Sequence, residues 1–525
     1  MSRVLNTVRY LKPVQIYNRV YRRRPRIVGS GSTPGMRTPV GPWVPGITRE
    51  SPQAGPGQFR FLNQEHRIET WNDSGIPRLW LYNLHYFESP AADLIHEWIV
   101  ENPVGQGNGW EPYPLSLRIC NWIKWHLAGN LLEKMALESL ALQTRYLAQR
   151  VEYHLLGNHL FANAKALVFG GAFFEGVAAT KWLACGLRIL ATQLPEQVLE
   201  DGGHFERSPM YHSLILEDVL DLINLGRAYP GLLPDLSEVA ARMLGWLGNM
   251  VHPDERIAFF NDAAFGVAPD PAALIRYADR LGIQSGQGPL GESGYIRLEN
   301  GSAVVFFDAA PIGPDYQPGH AHADTLSFEL SIGGRRAIVN SGISTYENNA
   351  ERLAQRSTPA HNTIRLDGED SSEVWSAFRV ARRARPLNVT TDHQTFAEAA
   401  HDGYKRLKDP AIHRRRIELH PDKLVVTDEI QARGEHAVEL FFHLHPEAHP
   451  DIRMDGRLVE SVEPSTWHPE FNTAIPSRTV VGRWKGPCPV RFITTIPLAP
   501  AASVTSQEHS HNEYSLHRRQ LSPGT

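Results

Sequence analysis

The sequence is poor in cysteine, with only Cys120, Cys185 and Cys488 in a chain of 525 residues. Their spacing shows no pairing pattern, so the sequence predicts no disulfide framework and is compatible with a reducing compartment. The chain also lacks the run of about 20 apolar residues that a membrane-spanning helix requires. Its net charge of −4 provides no overall basic field, which argues against nucleic acid as the main partner.

The N-terminal residues 1–26 are basic but lack the uninterrupted apolar core of a signal peptide. We therefore expect a cytoplasmic protein, with the periplasm as the alternative. Val4, Val8 and Leu11 fall on one helical face, ahead of three consecutive arginines at 22–24. This pattern predicts a helix that docks on its own protein, and peripheral contact with a membrane surface is the alternative.

Helical patterns dominate the first half of the chain. Residues 1–74 are predicted to form the basic helix and an irregular connector, because the stretch 28–58 is rich in Gly, Pro, Ser and Thr. Residues 75–285 then carry apolar side chains at helical spacing, and Ser89-Pro90 and Ser208-Pro209 have the residues of helix starts. Helices of this number without a fixed-period repeat favour an incomplete α/α toroid over a helical solenoid.

Strand patterns dominate residues 286–525. Leu326, Phe328 and Leu330 alternate up to a Gly333-Gly334 turn, which predicts a hairpin. A second hairpin is predicted with its turn at 421–423. The expected fold is therefore a helical toroid followed by an antiparallel β-sandwich.

The densest cluster of reactive side chains is Gly319-His320-Ala321-His322-Ala323-Asp324. On an extended chain, residues two apart share a face, so His320 and His322 are expected side by side. Such a pair could bind a metal or transfer protons. The spacing matches no known zinc motif, and two strand histidines that bond backbone carbonyls would explain it as well.

Two further clusters lie in the helical half. One runs from Asp201 to His212 and contains Tyr211, whose phenol is a proton donor at its usual pKa of about 10. It could act as a base only if a cation such as Arg207 lowered that pKa, and a buried tyrosine on a capped helix is an equal alternative. The other, Asn158-His159, could hydrogen-bond a carboxylate, although a helix cap beside a core-edge histidine is simpler.

Taken in order, the motifs resemble those of the heparinase II/III-like polysaccharide lyases. The resemblance spans roughly residues 75–500 and implies a toroid, a sandwich and a cleft between them. It rests on Gly157-Asn158-His159-Leu160, Asp201-Gly202-Gly203-His204 through Tyr211-His212, Gly319 to Asp324, and Ala360-His361-Asn362-Thr363.

The resemblance implies β-elimination at a uronic acid of an acidic polysaccharide or oligosaccharide. A base removes the C5 proton, an acid protonates the expelled 4-linked oxygen, and charge that develops on the carboxylate must be neutralised. By similarity, Asn158 and His159 would neutralise and position the carboxylate. Tyr211 would transfer protons, chiefly as the acid, and His320 would be the second proton-transfer or positioning group. The expected substrate contacts are Arg118, Glu206, Arg207 and Tyr346.

The same resemblance implies a structural zinc. His322 and His361 match two of its ligands in some relatives, whose third ligand is an aspartate. The nearest match to that aspartate is Asn340, which is neutral and therefore a poorer ligand. Asp324 or a water would then have to take its place.

Two other classes of function remain open. A glycoside hydrolase on an α/α toroid would need two carboxylates about 5–9.5 Å apart, for which Glu111, Glu206 and Asp262 are the candidates. Alternatively, the protein would bind or help build a surface polysaccharide without cleaving it. The lack of a recognisable signal peptide and the resemblance to members associated with capsule or lipopolysaccharide biosynthesis favour this alternative.

Overall fold

A computed structural model gives the fold and describes residues 2–21, 33–286 and 288–498. Helices fill the first half of the chain and antiparallel strands fill the second, which confirms the predicted fold class. The arginine run at 22–24 lies outside the described residues. Within the described ranges, no helix is long and apolar enough to cross a membrane.

Two short helices, α1 (Arg3–Val8) and α2 (Pro13–Val20), pack against both halves of the protein. The indole Nε1 of Trp375, in the strand half, donates to Thr7 Oγ1 at 3.1 Å. The amide of Gln15 donates to the carbonyl of Leu155, in the helical half, at 3.4 Å. The N-terminal helices therefore dock on their own protein, as expected.

The connector is more ordered than its composition predicts. Within it, β1 (Gln53–Gly55), β2 (Gln58–Phe61) and β3 (Gln64–Arg67) form a small antiparallel sheet. Gly57 and Asn63 adopt positive φ angles of 66° and 59°, and these conformations allow the tight turns between the strands. The prediction of an irregular connector is therefore wrong for residues 53–67.

The helices of the first half follow one another along the chain, and the connection at 250–270 carries Asp262. Ser208 caps α9 as predicted, because its hydroxyl accepts a hydrogen bond from the Tyr211 N–H at 3.1 Å. The start predicted at Ser89-Pro90 is wrong by two residues, since Ala91 is still extended and the helix begins at Ala92. The helices are α3 (Arg78–Tyr86), α4 (Ala92–Glu101), α5 (Pro112–Leu127), α6 (Lys134–Leu147), α7 (Gly157–Phe173), α8 (Val177–Gln197), α9 (Pro209–Ala228), α10 (Ser237–Asn249) and α11 (Pro271–Arg280).

Helix α7 lies at the centre of this half. It is buried along almost its whole length, as expected of a helix that is apolar on every side. It packs against α5, α6, α8 and α9, an arrangement consistent with the predicted incomplete toroid. The same apolar core includes Val339, Ile343 and Phe471 from the second half, so the two halves are packed together without a separating layer of solvent.

The second half consists of layered antiparallel sheets around one apolar core. Its hairpins at Gly333-Gly334 and at 421–423 are those predicted from the turn residues. The helix α12 (Ala350–Arg356) interrupts the strands and begins at the cap residue Asn349.

The strands of the second half form four sheets within the described residues. One four-stranded sheet has the order β4-β5-β6-β7 and another the order β16-β17-β15-β8. A five-stranded sheet has the order β11-β12-β13-β14-β18, and β9 pairs with β10. Their bounds are β4 (Tyr295–Glu299), β5 (Ala303–Asp308), β6 (Phe328–Ile332), β7 (Arg335–Ile338), β8 (Ile364–Leu366), β9 (Val374–Trp375), β10 (Arg379–Val380), β11 (Pro386–Thr391), β12 (Phe396–His401), β13 (Ile412–Leu419), β14 (Lys423–Gln431), β15 (Glu435–His443), β16 (Val459–Trp467), β17 (Ile475–Pro487) and β18 (Val490–Pro497).

Candidate active site

A cleft of about 1070 Å³ lies between the helical half, the strand half and the N-terminal helices. Asn158, His159, Tyr211 and His320, the four residues predicted to carry the chemistry, all line it. Aromatic rings, which suit the apolar faces of sugars, make up much of its wall. They are Tyr82, Tyr86, Tyr113, Tyr316, Tyr346, Trp375, Phe378 and Phe471.

Tyr211 and His320 are in direct contact in this cleft. Their rings stack with centroids 3.8 Å apart and an interplanar angle of 29°. The hydroxyl of Tyr211 lies 3.1 Å from that of Tyr346. Burial raises the pKa of Tyr211 well above its usual value, and the neighbouring Tyr346 and Asp262 add to the effect. The phenol is therefore protonated at neutral pH and available as a proton donor.

A single carboxylate, that of Asp262, orients His320. Its Oδ2 lies 2.8 Å from Nδ1 of His320, and Arg352 pairs with both of its oxygens. Burial alone would raise the pKa of Asp262, but the Arg352 charge and the histidine hydrogen bonds hold it well below its usual range. An ionised carboxylate can only accept a hydrogen bond, so Nδ1 of His320 carries the hydrogen that it donates to Asp262. Nε2 is then the ring nitrogen that can take part in proton transfer.

The histidine segment is a loop and not the predicted strand. Strand β6 begins only at Phe328, and Leu326 has a positive φ of 68° that breaks the extended conformation. The loop is held to the 261–262 turn, because the Asp262 N–H donates to the carbonyl of His320 at 3.0 Å. His322 still lies on the same side as His320, since its Nε2 is 2.8 Å from the other Asp262 oxygen.

His159 projects from the first turn of α7 towards the cleft. Its Nδ1 lies 3.1 Å from Oε2 of Glu152, which also accepts a hydrogen bond from the Asn163 amide at 3.3 Å. Burial alone would lower the pKa of His159, but the charge of Glu152 and its hydrogen bond raise it above the usual value. Glu152 thus favours the protonated form of His159, and in that form the imidazolium could neutralise a substrate carboxylate.

Asn158 lies beside His159 and is buried. Its Oδ1 has no hydrogen-bond partner among the described residues. The residue before the helix, Leu156, has a positive φ of 66° with an extended ψ, a conformation that costs energy for any residue other than glycine. Strained backbone of this kind is commonly found at functional sites.

Two of the predicted substrate contacts are buried structural arginines. Arg118 is inaccessible to solvent, donates to Gln143 and to the carbonyls of His85 and Gly109, and stacks on Trp98. It stabilises the helical core and is not available to a ligand.

Arg207 is also turned away from the cleft. Its guanidinium donates to the carbonyl oxygens of Ser293 at 3.0 Å and Phe205 at 2.9 Å. The sequence-based expectation that Arg118 and Arg207 contact substrate is therefore wrong, because neither lines the cleft and both donate hydrogen bonds within the protein. Tyr346, by contrast, does line the cleft.

The carboxylates considered for a hydrolase do not form an acid and base pair. Asp262 is ionised and locked by Arg352, so it cannot donate a proton. Glu206 is almost fully buried, 3.7 Å from Nε2 of His320, and burial raises its pKa. Glu111 already accepts hydrogen bonds from Tyr82 and Arg78. Of these carboxylates, Glu206 is next to His320 but is not among the side chains that line the cleft.

His322, Asp324 and His361 form a buried triad beneath the cleft. One potential ligand atom from each lies within 4.8 Å of the others. His322 Nδ1 and both nitrogens of His361 have no hydrogen-bond partner among the described residues. Burial lowers the pKa of His361 well below its usual value and that of His322 to about 4, so both rings are neutral. Neutral imidazoles with free lone pairs beside a carboxylate fit a metal ion.

Asn340 is not required to complete this triad. Its Oδ1 accepts a hydrogen bond from the Gly342 N–H at 3.3 Å. The oxygen ligand grouped with the two histidines is that of Asp324, one of the two substitutes that the sequence suggested.

Some of the site was not predicted from the sequence. Glu152 was missed entirely, and Asp262 was considered only as a hydrolase carboxylate. Arg352 and the N-terminal helices also contribute to the site or its walls. Of these residues, only Arg352 could have been suspected from the sequence. It follows the helix cap Asn349 and is close in sequence to Tyr346, which was predicted to line the cleft.

Comparisons with known proteins agree with a chain made of a helical half followed by a strand half. Residues 95–270 match the model "Heparinase II/III N-terminus" and residues 284–507 match "Heparinase II/III-like, C-terminal". A crystal structure titled heparinase III has a TM-score of 0.61 at 18% identity and covers 83% of this chain and 79% of its own. At that identity, the similarity supports the fold alone.

Three curated relatives align over part of their length. The heparin-sulfate lyase of Pedobacter heparinus is 26% identical over 407 residues, covering 66% of this chain and 60% of the relative. That of Bacteroides stercoris is 24% identical over 344 residues, covering 59% and 49%. FtsZ-localized protein C of Caulobacter vibrioides is 27% identical over 322 residues, covering 56% and 54%. The chain thus spans about half to three fifths of the length of these relatives.

Proposed function

Because the chain belongs to the heparinase II/III-like family, we propose that it is a polysaccharide lyase that cleaves an acidic, uronate-containing polysaccharide by β-elimination. The stacked pair of Tyr211 and His320 is the main support for this proposal. It combines a protonated phenol and an oriented imidazole in a cleft that is also lined by His159, whose pKa is raised by Glu152. Two of the similar proteins are named heparin-sulfate lyases.

In this proposal, His159 and Asn158 bind the uronate carboxylate. The C5 proton is weakly acidic while that carboxylate carries its full charge, so electrostatic neutralisation lowers the barrier to its removal. Protonated His159 would supply the positive charge, and Glu152 favours that form because it raises the pKa of His159. The Asn158 amide would supply a hydrogen bond to the same group.

His320 and Tyr211 would transfer the protons. Asp262 binds Nδ1 of His320, so Nε2, which lies 3.7 Å from Glu206 Oε2, would be the atom that accepts the C5 proton. Tyr211, with its raised pKa, would protonate the expelled 4-linked oxygen. The elimination leaves a double bond between C4 and C5, so bonds and protons balance without a further reactant. The 3.8 Å stacking of the two rings would keep this acid and base next to each other at the bond that breaks.

The test is incubation of the full-length chain with heparan sulfate, its unsulfated backbone, chondroitin, hyaluronan and alginate. Elimination produces a conjugated, unsaturated uronate, which we would detect by ultraviolet absorbance and as a product of unchanged total mass by mass spectrometry. Products that have gained a water would instead indicate hydrolysis and overturn the proposal.

We also propose that the triad of His322, Asp324 and His361 holds a structural zinc ion. Zinc accepts nitrogen and carboxylate ligands, and the two neutral imidazoles have free lone pairs for it. When bound, the ion would supply a charged cross-link between the 319–327 loop and the segment that carries His361. No proton transfer in the proposed reaction depends on it.

Glycan binding without cleavage is the second candidate function. It is supported by the aromatic side chains of the cleft wall, which suit the apolar faces of sugars whether or not a bond is broken. One relative, FtsZ-localized protein C, has a name that describes a location and not an activity. Retention of a uronate glycan by the intact chain, with no unsaturated product from any glycan tested, would favour this candidate.

A further inference from the structure

Large apolar side chains are unusually exposed on the N-terminal helices. Val20 is 71% exposed, Tyr21 64% and Leu5 56%. None of the three lines the cleft. We use the term outer face for the set that shares both properties, which comprises Leu5, Val14, Ile16, Tyr17, Val20 and Tyr21.

The opposite side of these helices is held to the protein by polar contacts. Gln15 is buried and donates to the carbonyls of Leu155 and Tyr316. Lys12 pairs with Glu196 in α8. An ordinary surface helix turns its apolar side inward and its polar side outward. Helix α2 has the reverse arrangement, which leaves apolar area without cover.

The segment that carries the outer face is strongly basic. Residues 1–49 contain ten arginine or lysine residues and no aspartate or glutamate. Because the whole chain carries −4, residues 50–525 carry −14. Within the described residues of this segment, Arg3, Arg9 and Arg19 are exposed next to the apolar side chains.

We propose that the outer face docks on the surface of an anionic lipid bilayer. Exposed apolar side chains flanked by arginines are the features that place a helix in the membrane interface. Tyr17 and Tyr21, whose rings lie 4.8 Å apart, are suited to the headgroup level. A nucleic acid would match the charge but would not cover the apolar side chains.

Docking in this way would bring the cleft close to the membrane. The inner side of the same helices lines the cleft with Val4, Thr7, Val8 and Leu11. A glycan that is still attached to the membrane would then lie within reach of the site. This consequence rests on the proposed function, whereas membrane binding itself does not and can be tested without any catalysis.

The experiment is co-sedimentation of the full-length chain with vesicles. We expect binding to vesicles of phosphatidylcholine mixed with phosphatidylglycerol, weaker binding when salt is added, and little binding to phosphatidylcholine alone. Retention of the chain in the supernatant with the anionic vesicles would overturn the proposal.

Variants distinguish the contribution of the outer face to vesicle binding from that of the basic residues. Replacing Ile16, Tyr17 and Val20 together by serine should lower vesicle binding at least about tenfold while circular dichroism is unchanged. The matched control replaces Val459 and Val462, which are exposed on β16, by serine and should bind like the unmodified chain.

Two results of the variant experiment would contradict the proposal. Undiminished vesicle binding by the triple variant would show that arginines alone attract the chain. A dimer of the unmodified chain in light scattering that becomes a monomer in the triple variant would show that a second copy covers the outer face.

Discussion

The ring of Tyr211 stacks on the imidazole of His320, with centroids 3.8 Å apart, although the first lies in α9 and the second in the loop before β6. Neither half of the protein contains this pair alone. Val339 and Phe471 of the strand half belong to the apolar core of the helices, and this shared core fixes the position of one half relative to the other. Activity at this site therefore requires the correct docking of the two halves.

Removal of the Tyr211 hydroxyl should slow the proposed elimination strongly. In Tyr211→Phe the ring still stacks on His320, so the geometry of the cleft is retained, but the proton donor is lost. Because general acid catalysis contributes about 10²–10⁴-fold, we expect a fall in kcat of that size with little change in KM. The measurement is the rate of unsaturated product formation by ultraviolet absorbance.

The control for Tyr211 is its hydroxyl partner, Tyr346, 3.1 Å away. Tyr346→Phe removes one hydrogen bond from the cleft but leaves the donor in place, so it should cost far less activity. Equal losses in the two variants would contradict the assignment of Tyr211 as the acid.

Loss of the Glu152 charge should shift the pH dependence of the reaction. The carboxylate raises the pKa of His159, so the imidazolium persists to a higher pH than a free imidazole would. The proposed neutralisation needs that charge, and activity should fall as pH rises through the pKa of His159. In Glu152→Gln this alkaline fall should move to lower pH, as measured from profiles of kcat/KM.

Other charged groups near His159 limit the size of this shift. Glu206 and Glu111 also raise its pKa, and Tyr113 packs on its ring at 4.6 Å, so some of the elevation should remain in the variant. Glu347→Gln removes a cleft carboxylate that makes no contact with His159 in the described part of the chain. An alkaline limb that moves equally in both variants would argue against a specific role of Glu152.

Local signals were predictable from the sequence, and tertiary contacts were not. The Ser208 cap and the Gly333-Gly334 turn depend on neighbouring residues, so their chemistry is visible in the sequence. The burial of Arg118 depends on Trp98 and Gln143 of other helices, and no property of an arginine in a sequence indicates it.

The segment that contains His320 and His322 also depends on tertiary contacts that the sequence does not reveal. Alternation predicted a strand that would place His320 and His322 on one face. The two side chains do share a side, but only because both bind Asp262, about 60 residues away in sequence. The proposed catalytic residues were named through the resemblance to a family, whereas the residues that orient them depend on the fold.

Loss of one triad histidine should remove the proposed zinc ion. His361→Ala deletes a ligand with two unpaired nitrogens, and we expect zinc content in elemental analysis to fall from about one ion per chain towards zero. The thermal midpoint should fall as well, since a bound structural ion stabilises the folded state. The control, His393→Ala, changes an exposed histidine on a turn and should leave the zinc content unchanged. Zinc that is absent from the unmodified chain would contradict the assignment.

Removal of the guanidinium of Arg352 should destabilise the protein strongly. Arg352→Met leaves the Asp262 carboxylate buried without its cation, and breaking a buried pair in this way costs about 3–5 kcal/mol. The free energy of unfolding from denaturant titration measures the loss. In the control, Arg414→Met, the pair with Glu398 is exposed and should contribute less than about 1 kcal/mol. Similar losses in the two variants would mean that Asp262 does not depend on Arg352 for its charge.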